Sequence, residues 1–282
     1  MHIRNPVEWG VDTIRVAGST IERIGSRHNH KTAPAVRRIT VADLGDALAR
    51  GVDDFAAFRT DVAFLAIIYP LAGLVLARLM FGYGLLPLLF PLASGFALIG
   101  PVAAVGLYEM SRRREAGIET GWADALDIVR EPSFGSIVAF GLLLLAIFLV
   151  WMFLAITIYD VTLGPEPPQS AAGFVRDVFT TGAGWTMIGV GVGIGFLFAA
   201  GVLAISVVSV PLMLGRDVGL AEAIGTSLRA VMANPGPMAA WGLVVAGALV
   251  LGSLPLFLGL IVVMPVLGHA TWHLYRRVVA SE

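Results

Sequence analysis

The residues best placed to do chemistry lie in the last apolar stretch, where Gly268-His269-Ala270-Thr271-Trp272-His273 sets two imidazoles four positions apart. On a helix that spacing is one turn along a shared face, where two histidines can hold one metal ion. Glu109 stands three residues before Arg112, as His273 stands three before Arg276, and Tyr108 correspondingly matches Trp272. If these stretches are repeats, Glu109 and His273 point at similar places on a common axis. His269, His273, Glu109 and Tyr108 are therefore the candidates for ligand binding or proton handling. His269 and His273 are the candidates for a metal. A His, His, Glu set can bind a divalent ion, relay a proton, or form a plain buried hydrogen-bonded pair. The third reading is the simplest, because polar tips beside arginines can snorkel toward headgroups.

Those residues need apolar elements to position them, and the composition supplies these. The 282-residue chain is 57% hydrophobic and 14% charged. Soluble domains carry about 25% charged residues, so this chain belongs to the bilayer. It has no cysteine, which excludes disulfides, thiolate nucleophiles and cysteine-ligated clusters. The net charge of −1 says nothing about nucleic acid, since placement of the charges matters more, and no nucleic-acid partner is expected. Phosphate-binding glycine loops, serine-hydrolase elbows and zinc-protease motifs are missing, and no nucleophile–base pair can be read, so an enzyme is the least supported class.

About 20 apolar residues cross a bilayer core. Val62 to Met80, Leu85 to Met110, Gly135 to Tyr159 and Gly184 to Leu214 meet that length. The run from Pro237 to Arg277 suits two spans with a turn near Gly252-Ser253-Leu254-Pro255. The expected fold is an all-α membrane protein of six transmembrane helices. Of 19 Lys and Arg, all but Arg78 and Arg176 fall on the side away from the hairpin turns. Lys/Arg excess marks the cytoplasmic face, so both termini are expected there. The outside segment from Asp160 to Thr181, acidic and rich in proline, reads as a large loop.

The chain reads as three parallel repeats, each an amphipathic helix followed by a transmembrane hairpin, over about residues 40–114, 119–216 and 217–279. The helices share related cores at Leu44-Gly45-Asp46-Ala47-Leu48, Trp122-Ala123-Asp124-Ala125-Leu126 and Ile224-Gly225-Thr226-Ser227-Leu228. In the first, Val41, Leu44, Leu48, Val52 and Phe55 form the apolar face, with Asp43, Asp46, Arg50, Asp53 and Asp54 opposite. In the second, Trp122, Leu126 and Val129 line up before Pro132. The third runs from an Asp217 cap through Leu220, Ile224, Leu228 and Val231 to Asn234-Pro235. These helices are expected on the membrane surface, either as connectors that set the hairpin angle or as a docking ring for a cytosolic partner.

Gly189, Gly191, Gly193 and Gly195 make a small-residue run in the fourth span and are expected to permit close helix packing, with tilt or a kink. Residues 1–39 read as a cytoplasmic amphipathic segment, opened by Asn5-Pro6-Val7-Glu8, and a linker holding His28 and His30. Residues 40–279 form the membrane domain.

The run FPLASGFALIGPVAAVGLYEMSRRREAG from Phe90 to Gly117 resembles a bacterial family of predicted integral membrane proteins carrying a domain of unknown function. So do SVVSVPLML before Arg216-Asp217 and VLGHATWHLYRR at the end. The resemblance covers about Arg38 to Val279, and the N-terminal segment looks like that of alphaproteobacterial members. It implies a multi-pass protein of the bacterial inner membrane. Some relatives carry a cytochrome c oxidase subunit I label, but a haem–copper subunit needs twice as many spans and six histidine ligands. The architecture is also similar to six-span domains found beside glycerophosphodiester phosphodiesterases, a likeness of fold alone.

The expected function is non-enzymatic binding or passage of a small molecule or lipid at the repeat axis, with the bilayer as partner and no resident cofactor. One alternative is a respiratory accessory protein binding a divalent metal or haem through His269 and His273. Another is a scaffold for a cytosolic partner.

Overall fold

The computed structural model describes residues 34–66, 85–121, 127–216, 218–255 and 257–280, with single positions 71, 74 and 78. The N-terminal amphipathic segment, His28 and His30, most of the first expected span, and Trp122, Asp124, Leu126 and Asp217 lie outside them. The regular structure among the described residues is helical apart from one isolated bridge. In chain order the helices are α1 (Val41–Ala66), a 3-10 turn (Leu86–Leu88), α2 (Leu89–Ala103), α3 (Val105–Glu115), α4 (Phe134–Thr162), α5 (Ala171–Thr180), α6 (Gly182–Ser206), α7 (Ser209–Gly215), α8 (Leu220–Ala233), α9 (Pro235–Ser253) and α10 (Leu260–Val278).

Three stretches among the described residues are long and apolar enough to cross a membrane: Phe134–Thr162, Gly182–Gly215 and Pro235–Ser253. Their outward surfaces carry exposed Leu142, Leu149, Phe153, Phe196, Leu197, Leu243 and Leu251, which only a bilayer would cover. α10 is of similar length, but His269, His273, Arg276 and Arg277 lower its hydropathy.

The first amphipathic helix packs inward on another helix, through a face other than the expected one. Its residues are the opening turns of α1, which runs antiparallel to α10 in the most extensive helix pairing among the described residues. The buried seam is Leu44, Ala47, Gly51 and Asp54, whereas Val41 and Val52 are exposed. Size explains this shift of face. A Cβ on Gly51 would fall 2.7 Å from the Val266 carbonyl oxygen and from the Ala270 nitrogen, so Ala47 and Gly51 let two backbones approach as no larger pair could. The second amphipathic segment is described only over 127–130, as a single 3-10 turn with Val129 exposed. The third is α8, but it packs through Ala223, Thr226, Ser227 and Ala230, leaving Leu228 and Met232 exposed.

Breaks in the spans follow proline. Pro101 lacks an N–H, and the helix breaks at Ala104 between α2 and α3. In the fourth span the break falls at Val207–Val208, ahead of Pro211, and not in the glycine run. There the Ser227 hydroxyl donates to the Ala204 carbonyl at 2.8 Å and accepts from the Val208 N–H at 3.3 Å. Those two backbone groups would pair with each other in an unbroken helix, so a side chain from α8 has entered the ladder. The segment read as an outside loop contains α5, capped by Ser170, with Val178 buried at its contact with α6.

Asn234 closes the bundle across the chain. Its side chain accepts from Ile39 N at 2.8 Å and donates to Arg37 O and Ala230 O, both at 3.0 Å. Val36 bridges Val279, so residues flanking α1 and α10 are tied at the end that bears Arg112–Arg114 and Arg276–Arg277.

Candidate functional site

At that arginine-bearing end α1, α3 and α10 bring a polar cluster together inside the bundle. Asp54 is 5% exposed and His269 is fully buried. Asp54 Oδ2 accepts from the Ser111 hydroxyl at 2.6 Å and from His273 Nε2 at 2.8 Å, while Arg114 pairs with Oδ1. Ser111 Oγ also lies 2.8 Å from His269 Nδ1.

Donor counting assigns the protons. An ionised carboxylate only accepts, so the Ser111 hydrogen points at Asp54 and His273 carries its proton on Nε2. Ser111 must then accept from His269, whose proton sits on Nδ1. That leaves His269 Nε2 as a buried atom without a hydrogen-bond partner among the described residues. The Leu107 carbonyl lies near the ring, outside hydrogen-bond geometry with that nitrogen. Phe58 stacks on the same ring, with centroids 6.1 Å apart.

Burial raises the Asp54 pKa, but hydrogen bonds from His273, Ser111 and Arg114 and the proximity of His273 outweigh it and hold the carboxyl at about 2. Asp54 stays ionised at neutral pH. Together with Arg50, Asp53, Ser111, Arg114, Glu115 and His273 it lines an open cleft of ≈ 220 Å³.

Glu109 is fully buried but separate from this cluster. Arg112 holds it through Nε at 2.7 Å and Nη2 at 2.9 Å, and Arg113 through Nε at 2.6 Å. These arginines continue to Glu131 and Asp127. The expectation that Glu109 and His273 converge is corrected: the carboxylate at the histidines is Asp54, and Glu109 is turned toward arginines one helical turn on. Tyr108 is buried beside Glu109 on α3. Trp272, its expected counterpart, donates its indole N–H to Glu115 at 3.0 Å.

Nothing in the sequence separated Asp54 from its acidic neighbours on α1. The available signal was its place on the small-residue seam, three positions after Gly51. Of the glycine run, a Cβ on Gly195 would come 3.1 Å from Trp151. At Gly189, Gly191 and Gly193 nothing among the described residues lies within 4 Å. Close approach therefore falls to Gly195 among those four.

Two of the imidazole nitrogens that could ligate a metal are already hydrogen-bonded within the cluster. His269 Nδ1 and His273 Nε2 are engaged by Ser111 and Asp54, and Asp54 is closed by Arg114. Among the described residues no three His, Asp or Glu side chains converge in ligating geometry.

Residues 89–215 match the model of a family described as predicted integral membrane protein (DUF2189). This segment is similar to that family over less than half of the chain. It spans α2 to α7 and includes Glu109, Ser111 and Arg114, whereas Asp54, His269 and His273 lie outside it. No curated protein and no solved structure matches the chain.

Proposed function

We propose that the chain forms six spans in three parallel repeats within a bacterial inner membrane, both termini cytoplasmic. It binds or passes a small molecule or lipid at the axis the repeats share, through the arginine-bearing mouth, and performs no reaction on it. The lopsided placement of Lys and Arg supports the orientation. One observation carries the function: a buried, ionised Asp54, held by groups from two other helices, opens onto a cleft. Ionisable groups buried in a membrane protein are costly and mark ligand or ion pathways. A respiratory accessory role or a docking scaffold has no comparable observation behind it.

The test is mass spectrometry of small molecules and lipids retained by detergent-purified protein. Wild type is expected to retain a defined species, and Asp54→Asn to lose at least tenfold of it. Retention of nothing, with membrane permeability and lipid composition unchanged on deletion, would overturn the reading.

A further inference from the structure

The charges around the cleft are only partly neutralised from within. Asp54 is closed by Arg114, Ser111 and His273, and Glu115 takes the guanidinium of Arg276 and the indole of Trp272. Arg50 and Asp53 stand three positions apart on α1, are exposed, and form no ion pair among the described residues.

The two free charges have opposite sign and lie within about one turn of each other. A lone anion drawn to Arg50 would face Asp53 and Glu115, and a lone cation drawn to Asp53 would face Arg50 and Arg114. A ligand carrying both charges meets neither penalty. We propose that the cleft binds a zwitterion, its protonated amine donating to Asp53, its anionic group held by Arg50 and the outer N–H groups of Arg114. This rests on the reading that the cleft takes a ligand, and it names the class. An ammonium a few bonds from a phosphate has that chemistry, whether as a lipid headgroup or as a free solute.

The test uses the full chain in detergent, titrated calorimetrically with phosphoethanolamine, inorganic phosphate and ethanolamine. A parallel arm uses nanodiscs of phosphatidylethanolamine, phosphatidylcholine or phosphatidylglycerol, read by native mass spectrometry. Phosphoethanolamine or phosphatidylethanolamine is expected to bind at least tenfold more tightly than the single-charge probes. Phosphatidylcholine, whose quaternary ammonium cannot donate a hydrogen bond, is expected to bind more weakly than phosphatidylethanolamine. Binding in the nanodisc arm alone identifies a headgroup; binding of phosphoethanolamine alone identifies a free solute. Arg50→Ala and Asp53→Ala, both at exposed positions, should each weaken binding about tenfold with unfolding temperature unchanged. Phosphate binding as tightly as phosphoethanolamine, or both variants behaving as wild type, would overturn the assignment. If no zwitterion binds while purified protein still carries a species lost in Asp54→Asn, the zwitterion fails and the ligand reading stands. If nothing binds and nothing is retained, both fail.

Discussion

At the arginine-bearing end, α1, α3 and α10 meet through buried charge, and most of the polar groups there have a partner on another helix. Toward the hairpin turns, α4, α6 and α9 present leucine, valine and phenylalanine outward, and Gly189, Gly191 and Gly193 meet nothing within 4 Å among the described residues. The first region is specified by geometry, because a buried carboxylate that loses a partner has no water to replace it. The second is specified by composition, since lipid accepts any apolar side chain of about the right size. Substitutions should therefore be felt sharply at one end and weakly at the other.

The largest effect is expected at Asp54. Asp54→Ala leaves Arg114, His273 and Ser111 facing a vacated site, a loss of about 3–5 kcal/mol by analogy with broken buried pairs. Asp54→Asn should cost less, because the amide oxygen can still accept from Ser111 and His273 although its NH2 then meets Arg114, another donor. Unfolding in mixed micelles measures both. Gly51→Val comes next, with a loss of about 1–3 kcal/mol or more, because its new atoms meet the α10 backbone and not a movable side chain.

The pH dependence is of similar size. Asp54 titrates lower in the folded chain than when unfolded, so its stabilisation is complete above the unfolded value of 3.8 and is lost as pH falls toward about 2. The shift corresponds to about 2 kcal/mol, and its absence in Asp54→Asn is the control.

The smallest effects test the other half of the comparison. Ser227→Ala should cost about 1 kcal/mol through the two backbone groups it leaves at the Val207–Val208 break. Gly191→Ala, in the apolar region, should be neutral or stabilising by about 0.5–1 kcal/mol from helix propensity alone. A loss there as large as that of Gly51→Val would erase the distinction between the two ends.

The apolar runs were legible because length and composition alone identify a stretch that can cross a bilayer, as α4, α6 and α9 do. His269 and His273 stood out because polar residues in such stretches are rare, and both join the buried cluster. Their acidic partner was not. Periodicity put Asp54 on the solvent face of a surface helix, since hydrophobic patterning counts apolar side chains and overlooks close approach through Ala47 and Gly51. Glu109 was expected beside His273 because of matching positions in a repeat, which say nothing about the Arg112 and Arg113 side chains that both take its carboxylate. The Val207–Val208 break was likewise displaced from the glycine run: Pro211 decides it, with a serine supplied from a distant helix.

The account turns on Asp54 and His273 acting as one buried unit that joins α1 to α10. A double-mutant cycle combining Asp54→Ala with His273→Ala, read as unfolding free energy at neutral pH, tests that directly. The expected coupling is about 1.5–3 kcal/mol, the range of a hydrogen bond to a charged group. Additive losses, agreeing within about 0.5 kcal/mol, would mean that the two side chains do not depend on each other and would contradict it.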